Sequence, residues 1–415
     1  MKRIAPAANG YEDGLGAGKQ VAGRWQPAVT TRLEKWKEAL TEAPNRNLGH
    51  LDTTTGMAIF DGLSREDLLA RAADLHRRKM DAFPGIERFP EIAGMDQYLD
   101  DRHRGFADGA GIDVREAYLE IYWKEMFFDY LAPRRAGQWE ACSECWLPRT
   151  DRGPLLGNGR DDIATWYTDE PMGQDWPPPL QPPVLASTVA VPAGPAGDGY
   201  RRYGQVNEVG LCLETGGGAL YEFEVKREEE YFPAPVLDLV LRCCSTTIEA
   251  VEMLTRYNLH WGGCNLVVGD TSGMGALIEK SKYHYAVRMS DRNVLVSTYG
   301  GCDDPDMRRL CDTANPYFRY YERRVDVMRQ ILDESAAAGV PTIDDFWASM
   351  LHHDEVAGGC QHRDCMPPGV ELFTHVGTAI LPAEGRRLTR SIATEKGEVR
   401  YPCSVPARET CWIFA

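Results

Sequence analysis

Apolar and polar positions along this chain alternate in two distinct ways, and the change from one to the other falls near residue 140. Residues 1–60 contain Gly, Thr and Asn without a clear period, which predicts an extended arm or irregular cover. Ser64 followed by Asp67 has the form of a capping box, and Leu68, Leu69, Ala72 and Leu75 then recur at helical spacing. Pro84 is expected to end that helix. Two more helices are predicted over 97–108 and 114–130, joined by residues 109–113, with Asp113 as N-cap of the second.

Past residue 140, short runs with strand character take over at 145–147, 154–156, 187–191 and 208–213. The Pro-rich residues 176–183 read as a surface loop. A helix over about 235–257, with a restart at Thr246 or Thr247, precedes strands at 265–269 and 275–279. Residues 270–273 between those strands have hairpin-turn chemistry. A strand at 293–297, helices at about 316–338 and 342–352 (the latter capped by Thr342), and strands at 372–381 and 410–414 complete the pattern. Helices, strands, helices and strands in that order suit an α+β layered architecture better than alternating βαβ units. Neither a dinucleotide-binding glycine fingerprint nor a complete phosphate loop is present.

Composition narrows the function. The chain has 415 residues, 43% of them hydrophobic, enough for a sizeable core, and a net charge of −16. That charge repels phosphate backbones and anionic lipids, so neither nucleic acid nor membrane is expected as a partner. The N-terminus lacks an apolar run of signal-peptide length, and a cytoplasmic protein is expected. A homo-oligomer is left open. The 12 cysteines are scattered and read mostly as small buried hydrophobes, with one or two left for chemistry.

The segment that draws attention is Ala141-Cys142-Ser143-Glu144-Cys145-Trp146, with Asn158, Arg160 and Asp161 following. A turn at 150–153 between two strands would return Asp161 to Cys142. On spacing alone the plainer reading, a buried cysteine and a surface aspartate, is favoured.

The segment nevertheless resembles the opening of the catalytic chain in N-terminal-nucleophile (Ntn) cysteine hydrolases, where a Cys-Thr or Cys-Ser pair begins a strand and an aspartate follows some twenty residues later. Three more stretches resemble the penicillin acyltransferase-like branch of that family. Asp101-Arg102-His103-Arg104-Gly105-Phe106-Ala107-Asp108-Gly109-Ala110-Gly111-Ile112-Asp113 is similar to its pro-segment. Gly204-Gln205-Val206-Asn207-Glu208-Val209-Gly210-Leu211 is similar to its G-x-x-N-x-x-G-L strand. Cys264-Asn265-Leu266-Val267-Val268-Gly269-Asp270-Thr271-Ser272-Gly273 is similar to its hairpin. These blocks lie in family order over about residues 64–300. The sequence departs from the pattern at Thr298-Tyr299-Gly300-Gly301, at Ser143 and at Glu214-Thr215-Gly216, which bears on substrate class more than on core chemistry.

The resemblance implies a four-layer αββα Ntn fold with a helical pro-segment, residues 1–141, and a catalytic part, residues 142–415. It implies self-cleavage between Ala141 and Cys142, with Cys142 as nucleophile, its freed α-amine as base, Asp161 holding the ammonium and Asn265 serving the oxyanion. It places Asn158 and Arg160 along the pocket, with Arg319 or Arg323 as the helix-borne arginine. The substrate implied is a small acyl amide or acyl-CoA, with hydrolysis or acyl transfer as the outcome and no cofactor required.

Three rival readings accompany this one. Cys142 and Cys145 form a C-x-x-C, but Pro148 and the strand context speak against a redox pair. His352, His353, Asp354, Cys360, His362 and Cys365 include metal-ligand types, yet their spacing matches no standard zinc pattern, so no metal is expected. A binding or scaffold protein that is never cleaved is the non-enzymatic alternative. Trp146, Trp166 and Trp261 would line a pocket or, as the favoured reading, fill core.

Overall fold

The structure is a computed structural model. It describes residues 10–22, 64–81, 95–119, 141–163, 205–217 without 208, 240–298 with breaks at 242–243, 257–262 and 282–283, 302–311, 318–353, 357–362, and 372–411 with breaks at 392 and 396–397. The expected strand at 187–191, the Pro-rich 176–183, Trp166, Trp261, the predicted 114–130 helix beyond residue 119 and the end of the chain past 411 lie outside the described residues.

Among the described residues before 141 are helices α1 (Gly10–Val21), α2 (Arg65–Asp81) and α3 (Met95–Ala110), and residues 114–119 are helical as well. Helix α2 starts as predicted, with the Ser64 N–H donating to Asp67 Oδ2 at 2.8 Å and the Asp67 N–H to Ser64 Oγ at 3.2 Å. Helix α1 corrects the expected irregular arm. Its contact face is made of glycine, so a reading that looks for apolar periodicity passes over it. A Cβ on Gly14 or Gly18 would collide with the Arg102 and Phe106 carbonyl oxygens of α3, and one on Gly105 or Gly109 would collide with the Tyr11 and Leu15 carbonyl oxygens of α1. The two backbones therefore meet directly, as close helix packing between small residues allows.

After residue 141 the chain builds two antiparallel sheets. In chain order the strands are β1 (Ala141–Leu147), β2 (Leu155–Ile163), β3 (Gln205–Val206), β4 (Cys212–Gly217), β5 (Gly263–Gly269), β6 (Gly275–Ser281), β7 (Tyr285–Ser290), β8 (Leu295–Thr298), β9 (Leu372–Leu381), β10 (Arg386–Ser391), β11 (Ala393–Glu395), β12 (Glu398–Arg400) and β13 (Arg408–Cys411). The larger sheet runs β13-β10-β9-β2-β1-β8 and the smaller β3-β4-β5-β6-β7, while β11 and β12 form a separate pair. Helix α4 (Thr247–Arg256) lies between β4 and β5, and the short α5 (Pro305–Arg308), α6 (Phe318–Ala338) and α7 (Ile343–Met350) lie between β8 and β9. Thr342 caps α7 in a full capping box with Asp345, as its sequence suggests.

Burial gives the layer order. Ala250, Met253 and Leu254 of α4 pack on Leu213, Leu266, Val268, Ala276 and Ile278 of the smaller sheet. Val325, Met328 and Leu332 of α6 and Phe346, Trp347 and Met350 of α7 pack on Cys145, Leu147, Leu155, Val296 and Ala379 of the larger. Between the sheets, Trp146, Leu156, Leu295 and Ile380 meet Val206, Cys212, Val267 and Leu277. The protein is thus α+β, with an αββα stacking, as expected.

Two of the motif blocks have structural work to do. The Asn207 side chain donates to the Leu241 and Cys244 carbonyls at 3.0 and 2.8 Å and accepts from the Leu211 N–H at 2.9 Å. Gly210, at φ 83°, turns the chain there, so the strand expected over 208–213 begins only at Cys212. Asp270 Oδ2 accepts from the Thr247 N–H at 2.8 Å, tying the β5–β6 hairpin to the start of α4.

Trp146 is core, as favoured. Its ring lies against Gly269 and Gly275, where any Cβ would overlap it, and its Nε1 donates to the Gly273 carbonyl at 3.1 Å. Gly269→Ala is therefore expected to cost about 1–3 kcal/mol by overpacking, measured as a lower urea midpoint at unchanged slope.

Candidate active site

Strand β1 is buried on both faces, and its period of two sorts its residues. Cys145 and Leu147 point to α6 and α7, while Trp146 points to the smaller sheet. Cys142 and Glu144 share the face of Trp146. Cys142 and Cys145 thus lie on opposite faces of one strand, and burial pushes the Cys145 thiol up, so the C-x-x-C is no redox pair.

The facing positions of β2 complete the inner face. Arg160 stands opposite Cys142, and Asn158 opposite Glu144. Arg160 Nη1 donates to Cys142 Sγ at 2.8 Å, and a guanidinium at that distance favours thiolate over thiol. From the other sheet, Asn265 Nδ2 crosses to the Thr298 carbonyl at 2.8 Å. Gly216, the cross-strand neighbour of Asn265, leaves the space that the Glu144 carboxyl fills. Cys142, Asn158, Arg160, Asp161 and Asn265 are all buried.

Asp161 is placed differently from the residue before it. The β2–β9 register shifts between Arg160 and Asp161. Asp161 stands opposite Ala141 and its carboxylate is engaged by Arg324 of α6 and by the Thr374 hydroxyl. Arg324 also donates to the Gly359 carbonyl. Burial pushes the Asp161 carboxyl up, and Arg324, Thr374 and Arg160 pull against that rise. Burial alone would lower Arg324, but Asp161 outweighs it and the guanidinium is held more firmly protonated.

The two arginines expected from the sequence, Arg319 and Arg323, lie on the exposed side of α6. Arg324 takes the buried position instead, because it falls in the helix stripe that carries Phe318, Tyr321, Val325, Met328 and Leu332 inward. The signal was legible: an arginine set inside an apolar stripe needs a buried anion.

Sequence reasoning also passed over a pair of carboxylates. Glu144 and Glu214, from facing sheets, are both buried. Burial pushes Glu144 well above the carboxylate range, with Arg160 opposing and Glu214 adding to the rise. Burial likewise raises Glu214 to about 7, against the pull of Arg160 and Arg387. Among the described residues, both carboxyl oxygens of Glu144, both amide atoms of Asn158, Asn265 Oδ1, Glu214 Oε1, Ser297 Oγ and Thr378 Oγ1 have no hydrogen-bond partner. Buried polar atoms rarely stay so, and this many on the facing strands call for water or a polar guest as partner.

No family model matches the chain, and no curated protein does. Solved structures similar to it include a mutant conjugated bile acid hydrolase from Clostridium perfringens, at TM-score 0.39 and 12% identity, covering 66% of this chain and 97% of that one. Penicillin V acylase from Agrobacterium tumefaciens is similar at TM-score 0.30 and 13% identity, covering 61% of this chain and 76% of that one. At such scores the likeness decides nothing about chemistry.

Two outcomes are expected. Arg324→Ala strands a buried carboxylate and is expected to cost about 3–5 kcal/mol in chemical denaturation. Glu214 is protonated more readily in the folded chain, at about 7 against 4.5, so its stabilising contribution is full below pH 4.5, falls as pH rises and is gone above about pH 7. Glu214→Gln should remove that decline, on the order of 3 kcal/mol, seen by comparing urea unfolding of both proteins at pH 4.5 and pH 8.

Proposed function

We propose that this chain is a cysteine amidase or acyltransferase of the Ntn type, matured by cleavage between Ala141 and Cys142. The observation that carries the reading is the setting of Cys142. It is the second residue of β1, its sulfur is held by Arg160, and it shares the buried space between two sheets with polar side chains that lack partners. The αββα layering and the motif blocks support the same reading.

In maturation, the Cys142 thiol adds to the Ala141 carbonyl carbon and the C–N bond breaks. The nitrogen leaves as the Cys142 α-amine, and water hydrolyses the resulting thioester. An α-amine with an ordinary pKa of about 7.7 serves as a base at neutral pH. In turnover it takes the thiol proton while sulfur attacks the substrate carbonyl. The same proton passes to the departing amine, leaving a thioester on Cys142. Water gives hydrolysis; a second amine gives transfer. Asp161, across the strand pair from Ala141, would hold the new ammonium. Asn265 would turn its amide from the Thr298 carbonyl to the oxyanion. Asn158 and Arg160 would hold the polar part of a linear amide or thioester.

Wild-type protein is expected to run as two fragments, residues 1–141 and 142–415, on a denaturing gel, and Cys142→Ala as one intact chain. Intact-mass spectra with a panel of acyl amino acids should show an acyl adduct on wild type alone. An uncut wild-type chain, or an adduct equal in Cys142→Ala, would sink the assignment. Asn265→Ala should lower kcat about 10²- to 10³-fold in cleaved protein.

A further inference from the structure

The structure assigns a metal site of the Cys₂His₂ kind, suited to zinc, to His353, Cys360, His362 and Cys403. One donor atom from each of these side chains lies within 4.8 Å of the others. They arrive from three places in the fold. His353 follows the end of α7, Cys360 and His362 flank Gln361, and Cys403 sits in the 3₁₀ turn Pro402–Ser404. The spacing of the first three resembles no standard zinc pattern because the fourth donor comes 41 residues later. Asp354 and Cys365, the other candidates from the sequence, lie outside the described residues, and His352 offers its backbone carbonyl to the Cys360 N–H at 3.1 Å.

The distances suit one small cation. The two Nε2 atoms of His353 and His362 face each other at 3.0 Å, and Cys403 Sγ is 3.7 Å from His362 Nε2. A tetrahedral zinc with ordinary bond lengths sets such N···N and N···S edges at about 3.4 and 3.6 Å. The imidazole planes of His353 and His362 stand at 81°, and His362 is held in place by stacking on Tyr401 at 4.5 Å. Two thiols and two imidazoles select a borderline-soft ion over calcium or magnesium. Four protein donors leave no open position, which marks the ion as structural.

Its place explains what it would hold. The chain from Gly359 to His362 backs the Asp161 cluster. The Gly359 carbonyl receives Arg324, the Gln361 N–H donates to Thr374 Oγ1 at 2.8 Å, and the Thr374 N–H donates to the Gln361 carbonyl at 2.7 Å. Thr374 in turn donates to Asp161. A bound ion would fix this segment to the end of α7 and to the Pro402–Ser404 turn.

The test is metal content of the full chain, purified without chelator and dialysed, by inductively coupled plasma mass spectrometry. About one zinc per chain is expected, retained in Cys142→Ala and lost in Cys403→Ala. Cobalt(II) added to metal-stripped protein should give visible bands of a tetrahedral ion with near-ultraviolet thiolate charge-transfer absorption. That spectrum tests the site in the wild-type chain should Cys403→Ala fail to fold. Wild-type protein that neither carries metal nor binds added zinc or cobalt overturns the assignment. So does a cobalt spectrum without thiolate bands, or zinc undiminished in folded Cys403→Ala. Because the readout is metal, its result stands apart from cleavage or activity at Cys142.

Discussion

A guanidinium and a carboxylate with no exposed surface, Arg324 and Asp161, tie the outer helix layer to the strand that faces β1. Taking both charges out of water is costly, and the cost is tolerable only because each has further partners. Thr374 supplies one hydrogen bond to the carboxylate and Gly359 one acceptor to the guanidinium. Arg160 and Asp161 are consecutive in β2 and so serve opposite faces of it, as the strand's period of two requires. Arg160 goes inward to the sulfur and Asp161 outward to the helix.

The space between the sheets changes character along β1. At the Trp146 end it is dry and tightly filled, with glycines on the facing strands making room for the indole. At the Cys142 end the side chains are polar and many lack partners. A site of this kind is held in shape by packing elsewhere.

Much of this was legible before the structure, and the limits have physical causes. The capping pairs at Ser64 and Thr342, the 270–273 turn and strand β9 follow from local chemistry. So does the inward face of β1, since a strand's period is rigid. Helix α1 was not legible because its docking surface is an absence of side chains. Arg324 was missed in favour of Arg319 and Arg323 because the helix boundary alone does not set the rotational phase; the apolar stripe does. Glu144 and Glu214 meet only across two sheets, so no spacing along the chain announces them. The partnership of Cys403 with His353, Cys360 and His362 is likewise a product of tertiary structure.

The seam between α1 and α3 has a consequence for variation. Two helices that touch backbone to backbone leave no rotamer to adjust and no volume to exchange. A neighbour cannot compensate for an added methyl, since the obstacle is a carbonyl of the main chain and not a movable group. Stability at that contact can therefore be lost in one step and regained only by reversal, so Gly14, Gly18, Gly105 and Gly109 are closed to drift.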